Sequence, residues 1–570
     1  MKNINEKIIL EIISKKPLTK AEFDNSRRIT CNKLGINQPP NHQLLSAYQN
    51  LVKKKRTVAN KRLEKLMRKA DIRTLSGVAI VTSLTKPFPC PGKCVYCPSE
   101  AKMPKSYLAT EPAAARAFGL KFDPYLQMKR RIEMLEQNGH PTDKIEFIVK
   151  GGSWNAYQLW YQYWFMLESF RATNRDKKCV SVQMSKCISN LQTALKKEQE
   201  RNETARHRII GLTLETRPDL ITPETILHMR EMGCTRVELG LQAPDDKILK
   251  LTKRGHTVQQ FKDAMYLLRQ AGFKVDLHFM PNLPGTTPKH DVEMYKQIFS
   301  DPGLKPDMVK IYPCSVIKNT ELYKWYKQGK YRPYSQKKLI NALIQMKLAT
   351  PRYCRISRLI RDIPATDIQA GNKETNLRQV LQAEMAKHGL KCKCLRCREV
   401  GHITASLHHY ITTSPKLFVE KYETTGGVEY FLSYEDKKRQ VVFAFCRLRL
   451  PFAIASDEAK QSSGQTTGLP RRSPACPVGR FLAPRNDSML AFIRELHTYG
   501  QLISINNKQL AINKSEIQHT GLGKKLMKEA EKIAKKNKFK KLSVIAGVGV
   551  RNYYRKLGYR KKGTYMVKSL

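Results

Sequence analysis

The chain has 570 residues, 41% of them hydrophobic, enough for about three domains at roughly 100–200 residues each. Lys and Arg number 103 against 49 Asp and Glu, a net charge of +54, so the expected partners are polyanions, nucleic acid first. No apolar run approaches the roughly 20 residues that span a bilayer, which argues against a membrane protein. The opening "MKNINEKIILEIISKK" carries too short and too interrupted an apolar stretch for a signal peptide. The expected compartment is the cytoplasm, where thiols stay reduced and clustered cysteines read as metal ligands rather than disulfides.

Residues 1–74 have a helical, strongly basic pattern. In "NLVKKKRTVANKRLEKLMRKADIRT" (50–74) Lys and Arg occupy almost every face. Such a helix has little apolar stripe to bury and is expected to lie on an RNA backbone.

From 75 to 345 short β-rich runs alternate with amphipathic segments. The runs are "GVAIVTSL", "IEFIV", "IIGLTL", "TRVELGL", "KVDLHFM" and "DMVKIY"; "PYLQMKRRIEMLEQNG" and "TVQQFKDAMYLLRQAG" are among the helical segments between them. Six strand–helix repeats predict a parallel sheet closing toward a barrel, with chemistry at the C-terminal ends of the strands. Residues 346–410 break the repeat and hold "KCKCLRCREVGH". Residues 411–570 read as a second α/β region. It is interrupted at 453–485 by a Gly/Ser/Pro-rich stretch expected to be a flexible loop.

The first strand leads into "CPGKCVYCPSE", in which Cys90, Cys94 and Cys97 follow C-x3-C-x2-C. Structural zinc sites are closed by four ligands, and an iron–sulfur cubane normally takes four thiolates. Three thiolates leave one metal position open. The spacing resembles the radical S-adenosylmethionine superfamily, with Tyr96 at the aromatic position between the last two cysteines. "KGGSW" (Lys150 to Trp154), with Gly151 and Gly152, resembles that superfamily's glycine motif. There only Gly lets the backbone approach the methionine amino group. The competing reading is a zinc knuckle with its fourth ligand elsewhere.

"QHTGLG" (Gln518 to Gly523) places glycines at a helix start, where backbone N–H groups and the dipole favour an anion. It resembles the acyl-CoA loop of GNAT acetyltransferases, which also carry a strand and an aromatic segment after the helix. Tyr553 and Tyr554 are candidates to contact the thioester, or else packed aromatics.

The two halves together resemble the Elongator catalytic subunit family of tRNA carboxymethyluridine synthases, from about residue 75 to 570. "LETRPD", "GCTRVELGLQ", "TKRGHTV", "RELHTYG" and "RNYYRKLGYRKKGTYMVK" carry the likeness. The resemblance implies a partial (βα)6 TIM-like radical S-adenosylmethionine barrel followed by a GNAT domain. Its 4Fe–4S cluster would sit on Cys90, Cys94 and Cys97, with S-adenosylmethionine and acetyl-CoA as cofactor and co-substrate. It implies that Lys144 reaches acetyl-CoA. The other contacts to that molecule would be Glu495, Leu496, His497, Thr498, Leu522, Gly523, Lys524 and Tyr554, and Lys144, Tyr553 and Tyr554 are the candidate catalytic residues. Cys392, Cys394 and Cys397 resemble the zinc-bearing linker of prokaryotic members, with Cys354, His388 and His402 as candidate fourth ligands. The implied partners are a tRNA anticodon stem-loop and an electron donor. The three-residue gap between the first two cysteines matches prokaryotic members, consistent with action without other Elongator subunits. The alternative is a GNAT protein lysine acetyltransferase with a structural cluster.

Overall fold

The computed structural model describes residues 2–68, 74, 76–174, 187–400, 415–452, 490–499 and 521–570. The loop at 453–485, His402 and Gln518 lie outside these residues.

The N-terminal segment departs from expectation. It is four short helices, Lys2–Ser14, Lys20–Lys33, Asn41–Lys53 and Lys61–Met67, around a core of their own. Ile8, Ile9, Ile12, Phe23, Leu44, Leu45, Tyr48, Leu51, Leu63 and Met67 are buried in it. These residues number one to four per helix; in the third, Leu44, Leu45, Tyr48 and Leu51 recur at helical spacing, and the core closes only when all four helices pack. Thr19 and Asn60 cap the second and fourth helices through side-chain oxygens. Arg68 Nε donates to the Gly139 carbonyl at 2.8 Å and ties the bundle to the barrel.

The central sheet contains the six expected strands: β1 Ala79–Leu84, β2 Lys144–Lys150, β3 Arg208–Thr216, β4 Arg236–Gln242, β5 Lys274–Phe279 and β6 Met308–Ile311. All neighbours pair in parallel and in sequence order. A seventh parallel strand, Arg355–Arg358, follows β6, so the sheet does not stop at residue 345. Among the described residues no pairing joins that strand to β1, and the barrel has an open seam between them. β4 is buried along its whole length, as a strand packed on both faces should be.

The C-terminal sheet has the order Lys416–Thr424, Gly427–Glu435, Val442–Pro451, Leu490–Thr498, Lys541–Val544, Tyr565–Ser569, Arg560–Lys562. Every pair is antiparallel except Leu490–Thr498 with Lys541–Val544. The helix Leu522–Lys536 buries Leu522, Leu526, Met527, Ala530 and Ala534 on this sheet.

The two sheets meet at the N-terminal ends of the barrel strands through buried ion pairs. Asp307, just before β6, pairs with Arg269 at 3.1 Å and with Arg494 of the strand Leu490–Thr498. Glu429 accepts from Arg494 Nε at 3.0 Å and from Arg449 and Arg269 at 3.2 Å. Glu495 pairs with Arg447 at 2.8 Å and with Lys274 of β5 at 3.6 Å. The backbone comes closer still at Gly547, where any Cβ would strike the Ile210 carbonyl of β3. Among the described residues no helix is long and apolar enough to cross a membrane.

Candidate functional site

Cys90, Cys94 and Cys97 lie on the loop after β1, at the C-terminal mouth of the barrel, and are half-buried. The loop leans on the barrel: Val95 N donates to the Thr252 carbonyl at 3.1 Å, and Leu322 N to the Val95 carbonyl at 2.8 Å. Arg254 Nη1 lies 3.6 Å from Cys94 Sγ. Burial, with the neighbouring Cys94 charge, pushes the Cys97 thiol up to about 11.

The ligand-atom spacing separates the two cysteine triplets. The sulfurs of Cys392, Cys394 and Cys397 lie within 4.8 Å of one another. A single zinc ion with Zn–S bonds of about 2.3 Å sets its sulfurs about 3.8 Å apart. The loop cysteines do not form so tight a group, and a cubane, which gives each cysteine a different iron, wants them spread. The first triplet therefore fits a cluster and the second a single ion. Lys347 Nζ stands 3.9 Å from Cys397 Sγ. Hydrogen bonds from Cys392 and Cys397 hold the Cys394 thiol well below its usual range. Among the candidate fourth ligands, His388 is exposed and paired with Glu384 at 3.3 Å, and buried Cys354 is outside the tight group.

Gly151 and Gly152 follow β2 with φ of 128° and 99°. A Cβ on Gly151 would collide with Thr85 Oγ1 at the end of β1. The glycine lets the two strand ends close up beside the cysteine loop.

Below that loop the lumen holds a charged cluster that sequence reading passed over. Lys150 Nζ bonds Glu238 at 2.7 Å and Glu215 at 3.2 Å. Lys310 also bonds Glu238, and His278 Nε2 lies 3.3 Å from the same carboxylate. Burial pushes the Glu238 carboxyl up, but Lys150 and Lys310 overcome it and hold it well below the usual range. Burial pulls the Lys310 ammonium down to about 8 despite Glu238. Tyr107 Oη donates to Glu215 at 3.1 Å, linking this cluster to the segment after the cysteines.

In the C-terminal domain, the strand Leu490–Thr498 pairs with Lys541–Val544 only as far as Ile493. Glu495 to Thr498 continue, held on the other side by Arg447 to Ala444. The two parallel strands thus splay apart beside "ELHT". The helix Leu522–Lys536 starts at this splay. Its cap, Gly521, has φ 101° and no side chain to bond the first-turn N–H groups, which among the described residues remain for an anion. A Cβ on Gly523 would meet Tyr553 Oη at 2.9 Å, Thr498 at 3.5 Å and Leu496 at 3.9 Å. Four predicted residues are thus brought together around one small cradle. Tyr554 is not among them. It is buried in the domain core, edge-on to Tyr559, with its hydroxyl pushed far up by burial. Leu522 is buried and Lys524 exposed. Glu495 is occupied by Arg447, whereas His497 stacks on Phe445 at 5.7 Å. Lys144 opens β2 at the end nearest this domain, beside Arg208 of β3, against which Gly549 packs. Burial lowers its ammonium, with Asp143 opposing.

A cleft of about 830 Å³ runs along the open seam. It is lined by Tyr96, Tyr107 and Glu215 near the cysteine loop, by Arg355, Arg358 and Arg361 on its wall, and by Tyr499, just after "ELHT".

A three-cysteine loop at the mouth of an open parallel barrel, joined to a splayed sheet with a glycine-capped helix, defines a radical S-adenosylmethionine enzyme fused to a GNAT acyltransferase. The radical SAM superfamily pattern matches residues 89–298, its C-terminal domain 306–387, and the GNAT acetyltransferase domain 493–569. The tRNA uridine(34) acetyltransferase of Methanocaldococcus jannaschii is 41% identical over the whole chain and 98% of its own length. Human Elongator complex protein 3 is 35% identical over 88% of this chain and 85% of its own. The solved structure of archaeal Methanocaldococcus infernus Elp3 lacking its N-terminus superposes with a TM-score of 0.69 at 39% identity, covering 87% of this chain and 100% of that one. The chain belongs to the family of tRNA uridine(34) acetyltransferases and Elongator complex protein 3.

Proposed function

We propose that this enzyme builds a carboxymethyl group on carbon 5 of the wobble uridine of tRNA, drawing its two carbons from acetyl-CoA. The observation that supports this most is the continuous cleft from Tyr96 to Tyr499, which joins the radical end of the barrel to the acyl strand. Cys90, Cys94 and Cys97 would hold the cluster, which with S-adenosylmethionine would supply a radical able to take a hydrogen atom from the acetyl methyl group. The chain itself positions. Gly151 and Gly152 offer close backbone at the cluster loop, and the Gly523 cradle with Tyr553, Thr498 and Leu496 fixes the acyl arm. Arg355, Arg358 and Arg361 line the wall where the phosphates of an extruded, single-stranded anticodon base would pass. The basic N-terminal bundle adds a second hold on the RNA. Cys392, Cys394 and Cys397 would hold a zinc ion, which would brace the linker. An external one-electron donor reduces the cluster, and no further Elongator subunit is required.

The test is to incubate reduced, reconstituted protein with tRNA, S-adenosylmethionine and acetyl-CoA, digest the RNA and weigh its nucleosides. 5-Carboxymethyluridine should form only when all three are present. Acetylated protein lysine without S-adenosylmethionine, and unmodified tRNA with it, would mark a GNAT lysine acetyltransferase with a structural cluster instead.

A further inference from the structure

We infer that Arg217 is a positioning residue for the cluster, a buried donor aimed at the cysteine loop that helps to set the cluster's reduction potential. Arg217 stands at the C-terminal end of β3, next to the turn Pro218–Leu220, and is 3% exposed. Asp219, two residues on, grips it: Arg217 Nε donates to Asp219 Oδ1 at 2.9 Å, and Nη2 to Oδ2 at 3.1 Å. Nη2 also reaches the Gly255 carbonyl at 3.3 Å. This fork fixes the guanidinium plane and leaves one nitrogen, Nη1, buried and, among the described residues, without a hydrogen-bond partner. A buried N–H without an acceptor is costly, about 1–3 kcal/mol, and in a native fold it calls for an explanation.

The direction of Nη1 supplies one. It points at Gly92, between Cys90 and Cys94. A Cβ on Gly92 would collide with Nη1, and the same Cβ would lie 3.6 Å from Cys94 Sγ. The donor and the ligand sulfur thus crowd one point above Gly92, where a Cβ would displace the guanidinium. Arg254 reaches Cys94 from another side and, among the described residues, forms no ion pair. Of the two buried guanidiniums only Arg217 has a paired carboxylate, Asp219, and one positive charge is left facing the loop. Buried charge of this kind needs a counter-charge. A cluster bound by three thiolates is anionic and becomes more so on reduction, so a fixed positive donor stabilises the reduced form and raises the potential. Hydrogen bonds and net charge around the sulfurs are the protein's usual means of setting it.

The inference rests on the reading of Cys90, Cys94 and Cys97 as cluster ligands, and its test separates the two. Full-length wild type, Arg217→Gln and Gly92→Ala are reconstituted without oxygen, iron and sulfide are measured, and the reduced cluster is titrated by electron paramagnetic resonance. No tRNA or acetyl-CoA is added. Arg217→Gln should keep its iron and show at least tenfold less reduced cluster at a fixed solution potential, a downward shift of about 59 mV for one electron. Gly92→Ala, which pushes Nη1 aside, should shift the same way. Loaded variants with the wild-type midpoint would overturn the assignment. If Arg217→Gln loses its cluster, Gly92→Ala decides by the same criterion. A wild type that takes up no cluster would instead sink the reading of the cysteines.

Discussion

The two ends of the barrel both carry matched buried charge, but their arginines keep different company. At the N-terminal end, Arg269, Arg447, Arg449 and Arg494 each face a carboxylate of Asp307, Glu429 or Glu495. At the C-terminal end, Arg254 contacts a carbonyl and a thiol and, among the described residues, pairs with no carboxylate, while Arg217 holds Asp219 on one side and turns Nη1 toward the cysteine loop. The first pattern is what joins two domains; the second is what a site shows before its anion arrives. Perturbed or unmatched charge is a pointer to function only after the matched kind has been set aside.

Cys94→Ser should have the largest effect and touch the C-terminal end alone. Iron content and 5′-deoxyadenosine formation should fall to background, while gel-shift affinity for tRNA and thermal stability stay near wild type. An iron-loaded, active variant would remove the functional end from the comparison.

Asp307→Asn strikes the other end. Breaking a buried network by neutralising one partner typically costs about 3–5 kcal/mol. Denaturant unfolding should show a loss of that size, with cluster loading intact at low denaturant. A loss under about 1 kcal/mol would mean that the packed backbone around Gly547, not the ion pairs, holds the sheets together.

The six strands of the barrel could be read in the sequence because β-branched and apolar residues cluster between amphipathic helices. The seventh, "RISR" at 355–358, is short and charged and follows Pro351, so nothing local announces it. The cysteine loop and the glycine cradle were legible because their spacing is itself the chemistry. The charged lumen was not. Lys150 and Glu238 are 88 residues apart and Arg494 and Asp307 187 apart, and only the register of the strands brings them together. Arg217 and Arg254 sat in strings that served only to show likeness. Adjacent Tyr553 and Tyr554 could not be told apart either, since a helix sends neighbours about 100° apart and the sequence does not say which way is inward.

Deleting residues 1–68 asks whether RNA is held outside both ends. Each phosphate neutralised contributes about −0.7 to −0.9 to the slope of log K against log salt, so losing roughly four contacts should lower the slope by about three units. Circular dichroism should report an intact barrel, since the bundle has its own core. An unchanged slope in a folded protein would leave the cleft arginines as the main RNA contact.

The smallest expected effect separates the two tyrosines. Tyr553→Phe should raise the acetyl-CoA KM about tenfold, through loss of a hydroxyl at the Gly523 cradle worth about 1.4 kcal/mol, with unfolding unchanged. Tyr554→Ala should instead destabilise the domain by about 3–5 kcal/mol, the usual loss for a large buried aromatic. Equal effects on KM from both would return Tyr554 to the acyl site.

Gly547 pressed against Ile210 bears on whether the two catalytic halves can be exchanged as modules. A grafted acyltransferase would have to bring a bare backbone to that point and an arginine where Arg494 meets Asp307. Either half produced alone would expose those charges without their counterparts. Shuffling at this junction is therefore barred by geometry, and the acyl donor could be changed more readily by remodelling the splay than by replacing the domain.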